Sequence, residues 1–145
     1  MAHQTGVFRE KEIVVLGEII SDMLTAKESA YRVISEEVDG KLVGYLIFGR
    51  TPLTDFGWDI YWLVVDKAHQ GTGLGKKLLA KAEEKMFKEV PRAIIRVETS
   101  SRKEYLLARR FYVGQGFREV GLIDDFYSND DGIVIYSKDI IARKP

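Results

Sequence analysis

The chain has no cysteine, two histidines and three prolines, and no apolar run approaches the roughly 20 residues that a bilayer-spanning helix needs. Without cysteine there is no disulfide framework, no thiolate zinc site and no cysteine nucleophile. The N-terminus also lacks a basic stretch followed by an apolar run and a cleavage site, so a cytoplasmic chain off the membrane is expected. Net charge is absent as well, with 22 Lys and Arg against 22 Asp and Glu, which argues against a general nucleic-acid surface. Linkers, repeats and low-complexity tracts are missing too. What is present, 145 residues of which 46% are apolar, suits one compact domain over residues 1–145, burying about two-thirds of its unfolded surface.

The charge that cancels overall is unevenly spread. From Lys67 to Arg110 there are 12 Lys and Arg against 5 Glu, so the rest of the chain is acidic by the same margin. Part of this is a solvated helix face, as the Glu84 and Lys88 pair at i, i+4 suggests. The other reading is a site for anions. It gains weight from the stretch 59–79, where a β-branched and aromatic run, Ile60 to Val65, leads through Gly71, Gly73 and Gly75 into a helical pattern. Glycines at alternate positions can lay bare N–H groups around an anion. Lys76 and Lys77 in the first helical turn oppose the macrodipole, a conflict that a bound phosphate would relieve.

Apolar residues at three- and four-residue intervals predict an amphipathic helix over Arg9 to Leu24. Tyr31 to Val38 and Lys41 to Phe48, joined by Asp39-Gly40, predict a β-hairpin. A loop from Gly49 to Gly57 feeds a strand, Trp58 to Val65. Leu74, Leu78, Leu79, Ala82, Met86 and Val90 mark one stripe of a long helix, which Pro91 ends before a short strand, Ala93 to Glu98. Strand-helix-strand crossovers are almost always right-handed, which makes those two strands parallel neighbours. A second helix, Glu104 to Gln115, precedes strands over Phe117 to Ile123 and Ile133 to Lys138. The intervening acidic loop carries Asp124, Asp125, Asp130 and Asp131 beside Phe126 and Tyr127. The expected fold is mixed α+β and α/β: about six strands, antiparallel in the first half, a parallel pair at the centre, and flanking helices.

Two common phosphate motifs fail at the glycine turn. A dinucleotide fingerprint needs glycine where Lys76 stands, and a nucleotide P-loop needs glycine at Gln70 and a hydroxyl at Lys77. Instead, Gln70-Gly71-Thr72-Gly73-Leu74-Gly75 resembles the Q/R-x-x-G-x-G/A signature of the GCN5-related N-acetyltransferases, the GNAT superfamily. Ala108 to Phe117 similarly resembles that superfamily's A-x-x-F-Y-x-x-x-G-F segment. The resemblance covers roughly residues 29 to 138 and adds a splay at the parallel centre of the sheet.

It implies an enzyme that moves the acetyl group of acetyl-CoA directly to a primary amine, through a tetrahedral intermediate and without a metal. The pyrophosphate would sit on Gln70, Gly71, Thr72, Gly73, Leu74, Gly75 and Lys76. The pantetheine arm would lie along Leu63, Val64 and Val65, where the N–H of Val64 or Val65 stabilises the oxyanion. Tyr112 occupies the place of the superfamily's general acid, against the plainer reading of a tyrosine packed between helix and sheet. Asp59, eleven residues before Gln70, matches by spacing the general base of the histone-acetylating branch; the competing reading is a strand-end residue facing water, and Tyr61 offers a relay.

Glu98 follows the parallel strand and should border the cleft. Asp125 and Tyr127 of the acidic loop offer charge and a ring to a cationic amine. The acceptor is then a small molecule, an amino acid or a peptide amine. Two departures stand out: Tyr105 replaces an asparagine that often binds the coenzyme, leaving Arg102, Lys103 or Arg109 for phosphates, and the superfamily's first strand has no counterpart before the N-terminal helix. Either that strand is missing, or the helix packs differently and leaves an edge open for pairing between two copies, a homodimer. The alternative function is a non-catalytic acyl-CoA-binding sensor or interaction module.

Overall fold

The computed structural model describes residues 31–142, so the helix expected over Arg9 to Leu24 and the question of a missing first strand lie outside it. The described elements are β1 (Arg32–Val38), β2 (Lys41–Arg50), β3 (Gly57–Val65), α1 (Leu74–Phe87), β4 (Arg92–Ser100), α2 (Leu106–Gly114), β5 (Arg118–Ser128) and β6 (Asp131–Ile141). They form a six-stranded mixed sheet in the order β1-β2-β3-β4-β6-β5, in which β3 and β4 are parallel and every other pair is antiparallel.

Local chemistry accounts for the first hairpin. Asp39 and Gly40 both adopt positive φ, at 52° and 77°, the mirror-image turn whose twist matches that of its strands. The loop after β2 is stitched by its own polar groups: Thr51 N–H donates to Gly57 O, and Thr54 Oγ1 donates to Thr51 O while accepting from Gly57 N–H. The next strand, β3, is mostly buried, with Trp58, Ile60, Leu63 and Val65 in the main core.

That core gathers α1 through Leu78, Leu79, Ala82 and Met86, and α2 through Ala108 and Tyr112. Burying each large apolar side chain contributes about 1.5–3 kcal/mol, so Leu78→Ala, at a fully buried position, should cost about 2–5 kcal/mol. The helix lies so close over β2 that a Cβ on Gly44 would meet Leu74 Cδ2 and Leu78 Cδ1, both at 3.2 Å. A smaller cluster, Tyr45, Ile47 and Val64 with Tyr61 and Trp62 packed on it, covers the other face.

Two irregularities in β3 shape the cleft between the sheet's halves. Ile47 pairs with Trp62 and Phe48 with Ile60, so Tyr61 is an extra residue, a β-bulge. The bulge resets the alternation, which lets Ile60 and Leu63 both enter the main core while Tyr61 and Trp62 face the other cluster. The parallel pairing also stops here: β4 registers only with Gly57 to Ile60, and Glu98 to Ser100 pair with β6 alone. From Tyr61 to Val65, therefore, β3 has an open edge.

The acidic loop expected between the last strands is instead mostly strand. β5 continues to Ser128 and β6 begins at Asp131, with irregular register between Ile123 and Ser128. Asp125 and Asp130 take positive φ, 58° and 62°, which aspartate tolerates, so turn-forming residues are absorbed into a long hairpin. No helix among the described residues is long and apolar enough to cross a membrane.

Candidate active site

The open edge of β3 has a definite polarity. Asp66 N–H donates to Val43 O at 2.8 Å, which fixes the phase of the β2–β3 ladder. By antiparallel alternation, Val64 exchanges hydrogen bonds with Tyr45, whereas the backbone groups of Leu63 and Val65 point away from β2. Accordingly Val65 O accepts from Gln70 Nε2 at 3.1 Å. Of the two donors expected for the oxyanion, Val64 is turned into the ladder, and Val65 is joined at the edge by Leu63.

Beyond Val65 the chain makes a short 3₁₀ turn, Lys67–His69, then passes Gly71 and Gly73 in the left-handed region at φ 76° and 87°. A Cβ at either would meet nothing within 4 Å. Gly73 opens α1 without a side-chain cap, no acidic residue occupies the first turn, and the first helical bond is Lys77 N–H to Gly73 O. The N–H groups of Leu74, Gly75 and Lys76 are thus the unclaimed donors of that turn.

These groups border a cleft of about 550 Å³, whose lining includes Gln70, Gly71, Gly73, Gly75 and Lys76 from the turn and Leu107, Phe111 and Gln115 from α2. Two distant motifs therefore meet across one cavity. Gly75 allows the approach, since a Cβ there would lie 3.2 Å from the Phe111 ring. Thr72 is exposed and donates from Oγ1 to His69 O, and Leu74 packs on the core, so neither is among the residues that line the cleft. Lys76 has no ion-pair partner among the described residues, while Lys77 and Lys81 both reach Glu36 on β1. Of the other cations proposed for phosphate, Arg109 Nη1 donates to Ser100 O and Arg102 O, both at 2.7 Å, and Arg102 pairs with Asp131. Those side chains tie β4 to α2 and to β6 instead.

Tyr112 is fully buried among Phe111, Phe117 and Tyr136, and its hydroxyl has no hydrogen-bond partner among the described residues. Burial pushes its pKa well above the ordinary value, so the phenol stays protonated at neutral pH.

A second cavity, about 330 Å³, lies on the other side of the splay and is lined by Asp59, Tyr61, Arg96, Glu98, Phe126 and Tyr127 among others. Asp59 is largely buried, and both oxygens are engaged: Oδ2 accepts from Thr51 Oγ1 at 2.8 Å and Oδ1 from Arg96 Nε at 2.7 Å. It does not face open water. Burial, with Asp59 and Tyr31 nearby, holds the Tyr61 pKa above its usual range. Burial raises that of Tyr127 too, helped by Glu98 and Asp131.

Three of the four residues expected at the acceptor, Tyr61, Glu98 and Tyr127, thus come together, while Asp125 does not. Its Oδ1 accepts from Asp130 N–H at 2.8 Å, capping its own hairpin. Arg96 escapes notice in the sequence because a single arginine in an alternating strand reads as solvent-facing. Its signal is the register: a parallel β3–β4 pair sets it directly across from Asp59.

Comparison with known proteins agrees with this geometry. Residues 6–117 match the acetyltransferase (GNAT) family. The chain is 33% identical over 111 residues to an uncharacterized N-acetyltransferase of Methanocaldococcus jannaschii, covering 75% of this chain and 67% of that protein. A crystal structure assigned to the GNAT family from Desulfovibrio desulfuricans has a TM-score of 0.77 and 30% identity, covering 91% of this chain and 83% of the other. An aminoglycoside 6′-N-acetyltransferase from Enterococcus faecium shares the fold, with a TM-score of 0.68 at 17% identity over 90% of this chain and 94% of that one. The chain belongs to the GNAT family. It is an acetyl-CoA-dependent acyltransferase.

Proposed function

We propose that this protein is an N-acetyltransferase acting on a primary amine of a small molecule, amino acid or peptide, with the coenzyme in the glycine-turn cleft and the acceptor in the Asp59–Tyr127 pocket. The observation that carries this is the course of β3: it lines the acceptor pocket at Asp59 to Tyr61, runs on with an open edge, and reaches the coenzyme cleft at Val65.

The residues suit the coenzyme. Unclaimed N–H groups of an uncapped helix, glycines without a Cβ to obstruct approach, and Lys76 favour a pyrophosphate. The N–H groups of Leu63 and Val65 and the carbonyl of Leu63 lie along the open edge to pair with an extended, amide-bearing arm, while Val65 O accepts from Gln70. Acetyl-CoA supplies an activated acyl carbonyl and a thiolate leaving group. In this reading the edge N–H groups take up charge on the carbonyl oxygen. The Tyr112 hydroxyl, which has no partner among the described residues, holds the proton for the thiolate. Asp59, through a water or through Tyr61, receives the proton from the amine.

The test is thiol release from acetyl-CoA with panels of amines, amino acids and peptides; no turnover with any class would overturn the proposal. A non-catalytic acyl-CoA sensor draws support from two observations, the complete burial of Tyr112 and the engagement of both Asp59 oxygens. It requires coenzyme binding without thiol release.

A further inference from the structure

Resting on the reading of the second cavity as the acceptor site, we propose that the acceptor carries a carboxylate close to its amine, and that the terminal nitrogens of Arg96 recognise it. The acceptor is then an amino acid or the carboxyl-bearing end of a small peptide. Polyamines and amino sugars, which carry several cations and no carboxylate, are poor substrates.

Asp59 holds Arg96 in place. The Asp59 side chain is 12% exposed, whereas that of its partner Arg96 is 52% exposed. Thr51 holds one carboxylate oxygen and Arg96 Nε the other, so Arg96 is the cation that neutralises a largely buried charge. Swinging the guanidinium away would leave that charge uncompensated, a heavy penalty, so the arginine is anchored at Nε. Parallel register, Asp59 opposite Arg96, fixes the Cα positions of both.

Anchoring at Nε leaves Nη1 and Nη2. Neither has a hydrogen bond or ion pair among the described residues. An arginine held by one edge presents its remaining donors in a fixed plane, the arrangement that matches a carboxylate's two oxygens. Pre-organisation removes most of the side-chain entropy cost that an exposed arginine would otherwise bear on binding.

The charges that line the cavity sum to −1: Asp59 and Arg96 offset one another, and Glu98 adds a carboxylate within electrostatic reach of both Arg96 and Tyr127. An ammonium group is drawn in by that charge, whereas a carboxylate finds donors at Arg96. An acceptor that carries both uses both, and one without a carboxylate leaves the terminal nitrogens of Arg96 unmatched. Tyr61, Phe126 and Tyr127 surround the remaining space, and about 330 Å³ accommodates one residue-sized ligand, at the small end of ligand pockets.

The experiment compares matched pairs: α-amino acids with apolar, aromatic and cationic side chains against their carboxamides, together with a diamine, rates being referred to the neutral amine. For at least one side chain, kcat/KM for the acid should exceed that for the amide by about tenfold or more, as loss of a charge-assisted hydrogen bond implies. Arg96→Gln should bring that ratio to within about twofold, and Arg96→Lys should retain part of it. Because Arg96→Gln strands Asp59, the Asp59→Asn/Arg96→Gln pair serves as a second variant, compared by binding of N-acetyl amino acids and their amides since Asp59 is the proposed proton acceptor; it should lose the preference for the acid, and a retained preference would overturn the role of Arg96.

Equal turnover of acids and amides by the native protein would overturn this inference while leaving the acetyltransferase reading intact. If no amine is acetylated, that reading fails. Titration of N-acetyl amino acids against N-acetyl amino amides in the presence of coenzyme A then still tests carboxylate recognition. Preferential binding of the acids supports it, and equal or absent binding overturns it.

Discussion

Tyr112 is packed among aromatic rings with a hydroxyl that nothing among the described residues satisfies. A buried hydroxyl without a partner costs about 1–3 kcal/mol, so a purely structural tyrosine would be better as phenylalanine. Tyr112→Phe should therefore leave the melting temperature unchanged or raised while lowering kcat by about 10²-fold, measured by thermal denaturation beside steady-state thiol release. Loss of stability with unchanged kcat would mark a packing role. Alkaline stability follows from the same burial. Tyr45 is pushed up to about 12 and Tyr112 is raised further, from an ordinary value of 10.0. A pKa raised on folding means the folded state holds its protons more tightly. The resulting stability is complete below about pH 10 and falls as pH rises toward the folded-state values. Melting temperature measured between pH 8 and 12 should decline above pH 10, and less steeply in Tyr45→Phe. Tyr112, Asp59, Tyr61 and Glu98 are singled out in the sequence by motif or strand position, and Tyr127 as a ring beside a cluster of aspartates. That Asp59 would be tied to Arg96, 37 residues away, and to Thr51 across the preceding loop is not visible there, since hydrogen bonds that depend on strand register and loop closure leave no local trace.

At the scale of elements, the glycine turn and the β3 edge make separable predictions. Gly71→Ala and Gly73→Ala place a methyl in open space but force positive φ on alanine, costing about 1–2 kcal/mol each. Coenzyme affinity should fall about tenfold or more as well, as titration calorimetry would show, because the methyl intrudes where the anion is proposed to lie. Along β3, the amides of Leu63 and Val65 should exchange hydrogen faster than that of Val64, and gain protection on adding coenzyme A. Local hydrogen-exchange rates by NMR would check this; protection at Val64 alone would contradict the assigned phase. The first hairpin, the crossover and the two described helices are legible because their periods and turn residues are local signals. Both strands of the last hairpin are legible too, but its tip reads as a loop: Asp124, Asp125, Asp130 and Asp131 have loop chemistry, yet edge strands tolerate bulges and left-handed aspartates.

Across the whole molecule, part of the basic excess between Lys67 and Arg110 is answered from outside that segment. Glu36 takes Lys77 and Lys81, Asp139 takes Arg92, Asp59 takes Arg96, and Asp131 takes Arg102. Among the cations expected near the coenzyme phosphates, Arg102 is thereby committed to the protein, while Lys76 lines the glycine-turn cleft. Lys76→Gln should weaken coenzyme binding several-fold and reduce its sensitivity to salt between roughly 50 and 500 mM, a range that spans weak and strong screening. Lys81→Gln should change neither, as its partner is Glu36.

The Asp59–Arg96 contact also matters in time. It joins residues 37 apart across a parallel pair that requires a whole crossover helix to form first. Contacts of that kind reward the chain only after loop closure, whereas the β1–β2–β3 meander is built from neighbours. The cavity walls are then among the last features to assemble and the first to part. A ligand bound there should act as a clasp, slowing unfolding while leaving the rate of refolding nearly untouched.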